Sequence, residues 1–280
     1  MRKINFNVIY KCILYTVYVF ISINVLYILL SFGVTGYFSI SSGSMYPTFE
    51  RGDHGLINKL KLGPRFFDVS AARNGEHYKI WRLCGYGKLE RGDIVIFNYP
   101  YQEKKDSIAM NLKTFYCKRV VAIAGDSLEI KDCYYKVLGC GGTIGVSTEQ
   151  YALQSYVKSV SDKLERDGWP SWMRCAPKTD TFNWTICNMG PLYIPKKGAT
   201  INLNYRNWIL YRKYIEWECA DKIIWNGATA MMKNKPVEQY TFKEDYCFVA
   251  GDHVINSRDS RYFGLVPEKF IVGTIAFLFT

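Results

Sequence analysis

The residues best suited to covalent chemistry lie in the run Ser39-Ile40-Ser41-Ser42-Gly43-Ser44-Met45-Tyr46-Pro47-Thr48-Phe49, where four serines surround one glycine ahead of a proline. A serine hydroxyl is a weak nucleophile and carries out acyl transfer only when a neighbouring base takes its proton. The sequence offers two kinds of base. Its histidines are His54, His77 and His253, and none stands in a local pattern typical of a catalytic base, although triad partners can be distant in sequence. A lysine serves only if burial keeps it neutral near about pH 7–8. Lys118 sits in the most apolar strand-like run of the chain, Thr114 to Ile123. Strand alternation puts Lys118 on the face of Tyr116 and Val120 and turns Arg119 the other way. The residues alone leave both bases open.

These groups need rigid carriers. The run from Thr114 to Ile123 reads as a strand closed by a turn at Gly125-Asp126. Arg51-Gly52-Asp53 and Arg91-Gly92-Asp93 read as turns that open strands, the second leading into Ile94-Val95-Ile96-Phe97. Gly63-Pro64 marks another turn, within a mixed segment from Lys59 to Leu89. From residue 132 to 239 the pattern changes. Leu153, Tyr156, Val157, Val160 and Leu164 recur at helical spacing after a capping-box pattern from Ser147 to Gln150, and Asn204 to Cys219 reads as a second helix. Trp169, Trp172 and Trp184 belong to a proline-containing loop region, in a core or at a membrane surface. Strand and turn character returns with Gly251-Asp252-His253, with Asn256 to Gly264, and with the apolar run Phe270 to Phe279.

Ahead of all this, Arg2, Lys3 and Lys11 precede an uncharged apolar segment, 12–34, long enough to cross a bilayer as a helix. The next basic residue is Arg51. The positive-inside rule therefore puts residues 1–11 in the cytosol and the rest outside. A cleaved leader would have a shorter apolar region and an A-x-A site, so a permanent anchor is expected. The formal net charge of +11 calls for an anionic neighbour. Phospholipid head groups fit better than nucleic acid, because the Lys and Arg residues are scattered and match no reading motif. Nine cysteines with no C-x-x-C pair and only three histidines give no basis for a zinc site. Cys12 lies in the apolar segment. The other eight can pair outside the cytosol, Cys133 with Cys140 and Cys175 with Cys187 being nearest in sequence.

Four motifs in order behind an anchor give the chain a specific resemblance. They are Ser42-Gly43-Ser44-Met45-Tyr46-Pro47-Thr48; Arg91 to Phe97; Lys118-Arg119-Val120-Val121 leading to Gly125-Asp126; and Gly251-Asp252 through Asp259-Ser260-Arg261-Tyr262-Phe263-Gly264. Together they resemble the type I signal peptidases (leader peptidases), membrane-anchored Ser/Lys endopeptidases. The resemblance extends through Gly190-Pro191 and Ile194-Pro195-Lys196-Lys197-Gly198. It implies a mainly β fold, with an antiparallel catalytic core at 37–131 and 240–280. An inserted α+β second domain would occupy 132–239, behind one transmembrane helix. It implies Ser44 as nucleophile, Lys118 as general base, Ser257 orienting the lysine, and an oxyanion hole from the Ser44 N–H and the Ser42 hydroxyl. Arg119 with Asp252, and Asp259 with Arg261, match charged residues that support the site. The substrate would lie extended beside the Lys118 strand. The first and third residues before the cut would enter small pockets at Ile40, Met45, Phe49, Tyr116 and Cys117. Ser41 and Cys117 depart from the commonest family pattern, where proline and a branched aliphatic residue stand. No cofactor or metal is implied. The expected partners are signal peptides of exported preproteins and the membrane, at the outer face of the cytoplasmic membrane. Two other readings are a specialised relative that processes one secretion or conjugation substrate, and a catalytically dead, membrane-anchored binding module.

Overall fold

Strands rich in β-branched and aromatic residues supply the frame: Gly36–Ser39 (β1), His54–Asn58 (β2), Ile94–Asn98 (β3), Phe115–Ala122 (β4), Tyr246–Ala250 (β5), Val266–Pro267 (β6) and Ile271–Phe279 (β7). In this computed structural model, which describes residues 6–33, 36–74, 78–101, 107–142 and 144–279, they form one seven-stranded sheet in the order β1-β2-β7-β3-β4-β5-β6. Every neighbouring pair is antiparallel. Arg2, Lys3 and His77 fall outside the described residues.

The two Arg-Gly-Asp turns do what their sequence implies, and in the same way. Asp53 accepts the Glu50 N–H at 2.8 Å and Asp93 accepts the Glu90 N–H at 2.9 Å. Gly52 and Gly92 take positive φ of 105° and 91°, which a side chain would strain. β2 and β3 follow directly.

The N-terminal helix runs from Phe6 to Gly33. Its stretch Ile9–Ile28 has mean hydropathy 1.7 and, by length and composition, is able to cross a membrane. β1 begins three residues after Gly33.

Between β4 and β5 the chain forms a hairpin, Ser127–Lys131 with Tyr134–Val137, that adds Met189–Tyr193 as a third strand. Helices Ser147–Ser159, Ser161–Asp167 and Tyr205–Cys219 and small two- and three-stranded sheets complete it. Its buried side chains are continuous with those of the main sheet: Leu128, Leu153, Ile186 and Ile215 belong to the same apolar cluster as Val95, Phe97, Val120 and Phe248.

Several local expectations change here. The expected capping box is absent: Val146 is the N-cap and gives no side-chain cap. Gln150, fully buried, instead accepts the Tyr135 N–H at 2.9 Å and donates to the Ile144 carbonyl at 2.8 Å. A buried backbone donor thus takes the side chain that would have reached back to the cap. The apolar stripe is broken at Val160 into two helices, with Leu153 buried and Tyr156 exposed. Asn204 does cap the helix Tyr205–Cys219, accepting the Asn207 N–H at 2.9 Å. The disulfide joins Cys133 to Cys187, so neither nearest-neighbour pairing forms; Cys140 is exposed and Cys175 buried, both free. The reason is spatial: the Cys133 N–H donates to the Cys187 carbonyl at 3.0 Å, which brings the two backbones side by side across 54 residues. Trp184 is buried and Trp172 exposed.

Candidate active site

Ser44 sits in a single 3-10 turn, Gly43–Met45, between β1 and β2. The turn is pinned from both ends. Ile40 and Gly52 form hydrogen bonds on one side, Ile40 N–H to the Asp53 carbonyl and Gly52 N–H to the Ile40 carbonyl, each 2.8 Å. On the other, the His253 N–H donates to the Ser44 carbonyl at 3.2 Å. Ile40, Met45 and Phe49 point inward as a small apolar cluster of their own. A serine on a turn anchored by its apolar neighbours has little freedom to wander, which a nucleophile requires.

Lys118 lies in the middle of β4, opposite Val95 of β3. Only 4% of it is exposed. Its Nζ is 2.5 Å from Ser44 Oγ and donates to the Cys117 carbonyl at 3.0 Å. Burial is the largest influence on this amine and drives it below the ordinary lysine value, against the opposing pull of the Asp259 charge. A depressed lysine touching a serine hydroxyl is equipped to take its proton. Neither described histidine has that contact: His54 bonds Tyr37 and His253 faces the Gly43 carbonyl.

Ser42 is exposed and its Oγ is 3.2 Å from Ser44 Oγ. Ser257, 7% exposed, has no hydrogen-bond partner for its hydroxyl among the described residues. It therefore makes no hydrogen bond to Lys118 in this structure. Ser257 packs on Gly251, where a Cβ would collide with its hydroxyl and come within 2.5 Å of the Ser44 carbonyl. Glycine at 251 is thus what lets the loop after β5 close on the serine turn.

Two ion pairs brace the site. Arg119 grips Asp252 with two bonds of 2.7 Å and also donates to the Gly92 carbonyl at 2.9 Å. Thr48, from the serine stretch itself, donates to Asp252 at 2.5 Å. Its role went unread in the sequence, where the one available signal was a hydroxyl in that stretch. Asp259 and Arg261 are both completely buried and paired through bonds of 2.8 and 2.7 Å. Asp259 also accepts the Gly251 N–H at 3.0 Å. Burial alone would raise the Asp259 carboxyl; the Arg261 charge and hydrogen bonds outweigh it and hold the group below the usual carboxylate range.

A cleft of about 390 Å³ opens on Ser44 and Lys118, lined by Phe38 to Ser42 and Met45 on one wall and Phe115 to Cys117 on the other. Of the expected pocket residues Ile40, Met45, Tyr116 and Cys117 line it. Phe49 does not; it is 2% exposed and packs behind Met45. Burial pushes the Cys117 thiol up to about 12, so it presents a small neutral surface. Asn256 and Arg258 also line the cleft and were not foreseen. Among the described residues both walls offer backbone without a strand partner. β1 has β2 as its one strand partner, and β4 pairs with β5 only from Arg119 onward, which leaves Phe115–Lys118 unpaired by a strand on that side. A larger cleft of about 720 Å³, between Tyr78–Trp81 and the helix Tyr205–Cys219, is lined by carboxylates and lysines but holds neither Ser44 nor Lys118.

The chain is similar to known proteins. The profile of the family described as signal peptidase, peptidase S26, matches residues 13–280. Similar curated proteins are the signal peptidase I of Haemophilus influenzae, 25% identical over 86% of this chain and 62% of that one. That of Buchnera aphidicola subsp. Baizongia pistaciae is 26% identical over 86% and 68%, and that of Pseudomonas aeruginosa 26% identical over 84% and 61%. The chain thus spans about three fifths to two thirds of the length of these relatives. A solved signal peptidase I from Enterococcus faecalis is 17% identical, with a TM-score of 0.29 over 68% of this chain and 97% of that one.

Proposed function

Because the chain belongs to the signal peptidase family, peptidase S26, we propose that it is a membrane-anchored serine endopeptidase removing N-terminal signal peptides from exported preproteins. Neutral Lys118 takes the Ser44 proton, and Ser44 Oγ attacks the scissile carbonyl. The Ser44 N–H and the Ser42 hydroxyl stabilise the oxyanion, a charge that exists only on the way to and from the tetrahedral intermediate. The lysinium then protonates the leaving amine, and the mature chain departs. A water deprotonated by Lys118 hydrolyses the acyl-enzyme. Ser257, buried against Gly251 beside the Ser44 turn, makes no bond to Lys118 in the resting geometry and would orient the amine only once its hydroxyl turns to it during the cycle. Arg119–Asp252 and Asp259–Arg261 hold the turn and loop that carry these groups. No step needs a cofactor.

The substrate adds an extended segment between the free edges of β1 and β4. Side chains two apart point the same way in such a segment. The first and third residues before the cut then reach the wall of Ile40, Met45 and Cys117, whose small space favours small side chains. The helix Phe6–Gly33 anchors the enzyme with its N-terminus in the cytosol and residues 37–280 at the outer membrane face. Residues 37–131 and 240–280 form the catalytic core, with 132–239 inserted between β4 and β5.

One observation carries this reading: a buried lysine with its amine 2.5 Å from the hydroxyl of an anchored serine. It also argues against a catalytically dead binding module, since such a module has no use for a desolvated amine at a serine. The test is incubation of the detergent-solubilised protein and its Ser44→Ala variant with a model preprotein. Cleavage after a small-x-small pattern by the wild type alone is expected. Cleavage by the variant would remove Ser44 as nucleophile. A panel of unrelated preproteins separates a general enzyme, which cuts most of them, from a specialised relative that cuts one.

A further inference from the structure

The cleft beside Ser44 has a one-sided charge. Among its lining residues the ionisable cations are Lys118 and Arg258, and no carboxylate is present. Lys118 is buried and held by Ser44 and the Cys117 carbonyl, which leaves Arg258 as the exposed charge. Arg258 is exposed, between the buried Ser257 and Asp259. It forms no ion pair among the described residues: Asp259 next to it is taken by Arg261. Its guanidinium lies 5.9 Å over the Tyr99 ring, with a long 3.4 Å bond to the Tyr99 hydroxyl. Tyr99 in turn packs on Tyr116 at 5.0 Å between ring centroids. The cation is therefore parked on an aromatic shelf at the wall of the cleft.

We infer that Arg258 is a specificity-determining residue, which makes the enzyme favour substrates with Asp or Glu two residues before the cut and disfavour Lys or Arg there. The inference rests on the reading of Ser44 and Lys118 as a peptidase dyad. The position follows from alternation. In β4, Cys117 faces the apolar cluster of Ile40, Met45 and Phe49, whereas Tyr116, one residue away, carries the Tyr99–Arg258 shelf. Side chains that enter the Cys117 wall are the first and third before the cut, so the second faces the shelf. A solvent-exposed charge contact of this kind changes affinity severalfold rather than by orders of magnitude.

The experiment uses the full-length, detergent-solubilised enzyme and peptides identical except for Asp, Asn or Lys at the second position before the cut. A matching set varies the first position after it. The ratio of kcat/KM for Asp over Lys at the second position is expected to be about 3- to 10-fold at low salt and to shrink toward one at high salt. It should fall to about one in Arg258→Gln and invert in Arg258→Glu. A wild-type ratio near one, or a ratio unaltered in both variants, overturns the inference while leaving the peptidase reading intact. A preference found only at the position after the cut overturns the placement. A wild type that cuts none of the peptides overturns the peptidase reading, and this inference with it.

Discussion

Arg261→Met should be among the most damaging substitutions in the chain, although Arg261 does not touch Ser44 or Lys118 by any hydrogen bond described above. In the wild type its guanidinium makes two bonds to Asp259 and one to the Val254 carbonyl, with no part of either side chain exposed. Methionine fills much of the volume but leaves the Asp259 carboxylate buried with its main counter-charge gone. Breaking a buried pair in this way costs about 3–5 kcal/mol. At roughly 2–4 °C per kcal/mol for a domain of this size, the melting temperature at pH 7 should fall by about 6–20 °C. The loss must depend on pH, and its sign is fixed. Wild-type Asp259 is held below its unfolded pKa of about 3.9, so its contribution is present above that pH and fades as the pH falls through the folded value. In the variant the backbone N–H bonds to Asp259 remain but the counter-charge that offsets burial is gone, so the carboxyl rises, and folding is penalised at neutral pH and relieved as the group protonates. The gap in melting temperature between the two proteins should therefore narrow from pH 7 to pH 4. The double variant Asp259→Asn/Arg261→Met should recover much of the loss. Thermal melts followed by circular dichroism read all three. A single variant within about 1 kcal/mol of wild type at pH 7, or a gap that does not vary with pH, would refute the reasoning.

Three further expectations concern the cleft. Ser42→Ala should lower kcat by roughly 10²–10³ with little change in KM if its hydroxyl serves the oxyanion; a raised KM at constant kcat would make it a binding contact. Cys117→Val, close in size, should keep turnover of a small-x-small peptide within a few-fold, whereas Cys117→Trp overfills the wall beside Ile40 and Met45 and should reject it; equal rates for the two would place Cys117 away from the substrate. Lys118→Met should be inactive yet more stable than wild type at pH 7, because a folded-state pKa below the unfolded value near about 10.4 means that stability is lost as the pH falls from there toward the folded value. That gain should vanish above about pH 10.4, and a Met variant that melts lower at pH 7 would count against a buried, depressed lysine.

What was legible in the sequence was local. The Thr114–Ile123 run was readable as a strand because alternation and β-branched content act residue by residue. The Arg-Gly-Asp turns were readable because an aspartate three residues after the donor and a glycine at positive φ make a turn without help from elsewhere. The serine stretch and Lys118 were legible as candidates, and the resemblance tied them together. What the residues themselves could not supply was adjacency. Cys133 meets Cys187 rather than Cys140 because a strand pairing, not loop length, decides which backbones run side by side. Phe49 was expected in the pocket, yet a residue five places after Ser44 packs behind Met45 once the turn closes. Gln150 looked like half of a capping box until a buried Tyr135 N–H required an acceptor.

The same logic explains how residues 44, 118 and 257 meet. Ser257 arrives from beyond a segment of more than a hundred residues, but Phe248 of β5 pairs directly with Ala122 of β4. The chain leaves the sheet and returns to it at one place, so whatever lies between must keep those two strands adjacent and otherwise leaves the geometry of Ser44 and Lys118 unaltered. That constraint is met by shared burial, since Leu128 and Ile215 of the intervening segment join Val120 and Phe248 in one cluster. The position of Ser257 relative to Lys118 then depends on three short-range features: the β4–β5 register, the absence of a side chain at Gly251, and the Asp259–Arg261 pair that anchors the loop behind it. Each acts over a few ångströms, and together they bring Ser257, 139 positions after Lys118, against Gly251 beside the Ser44 turn.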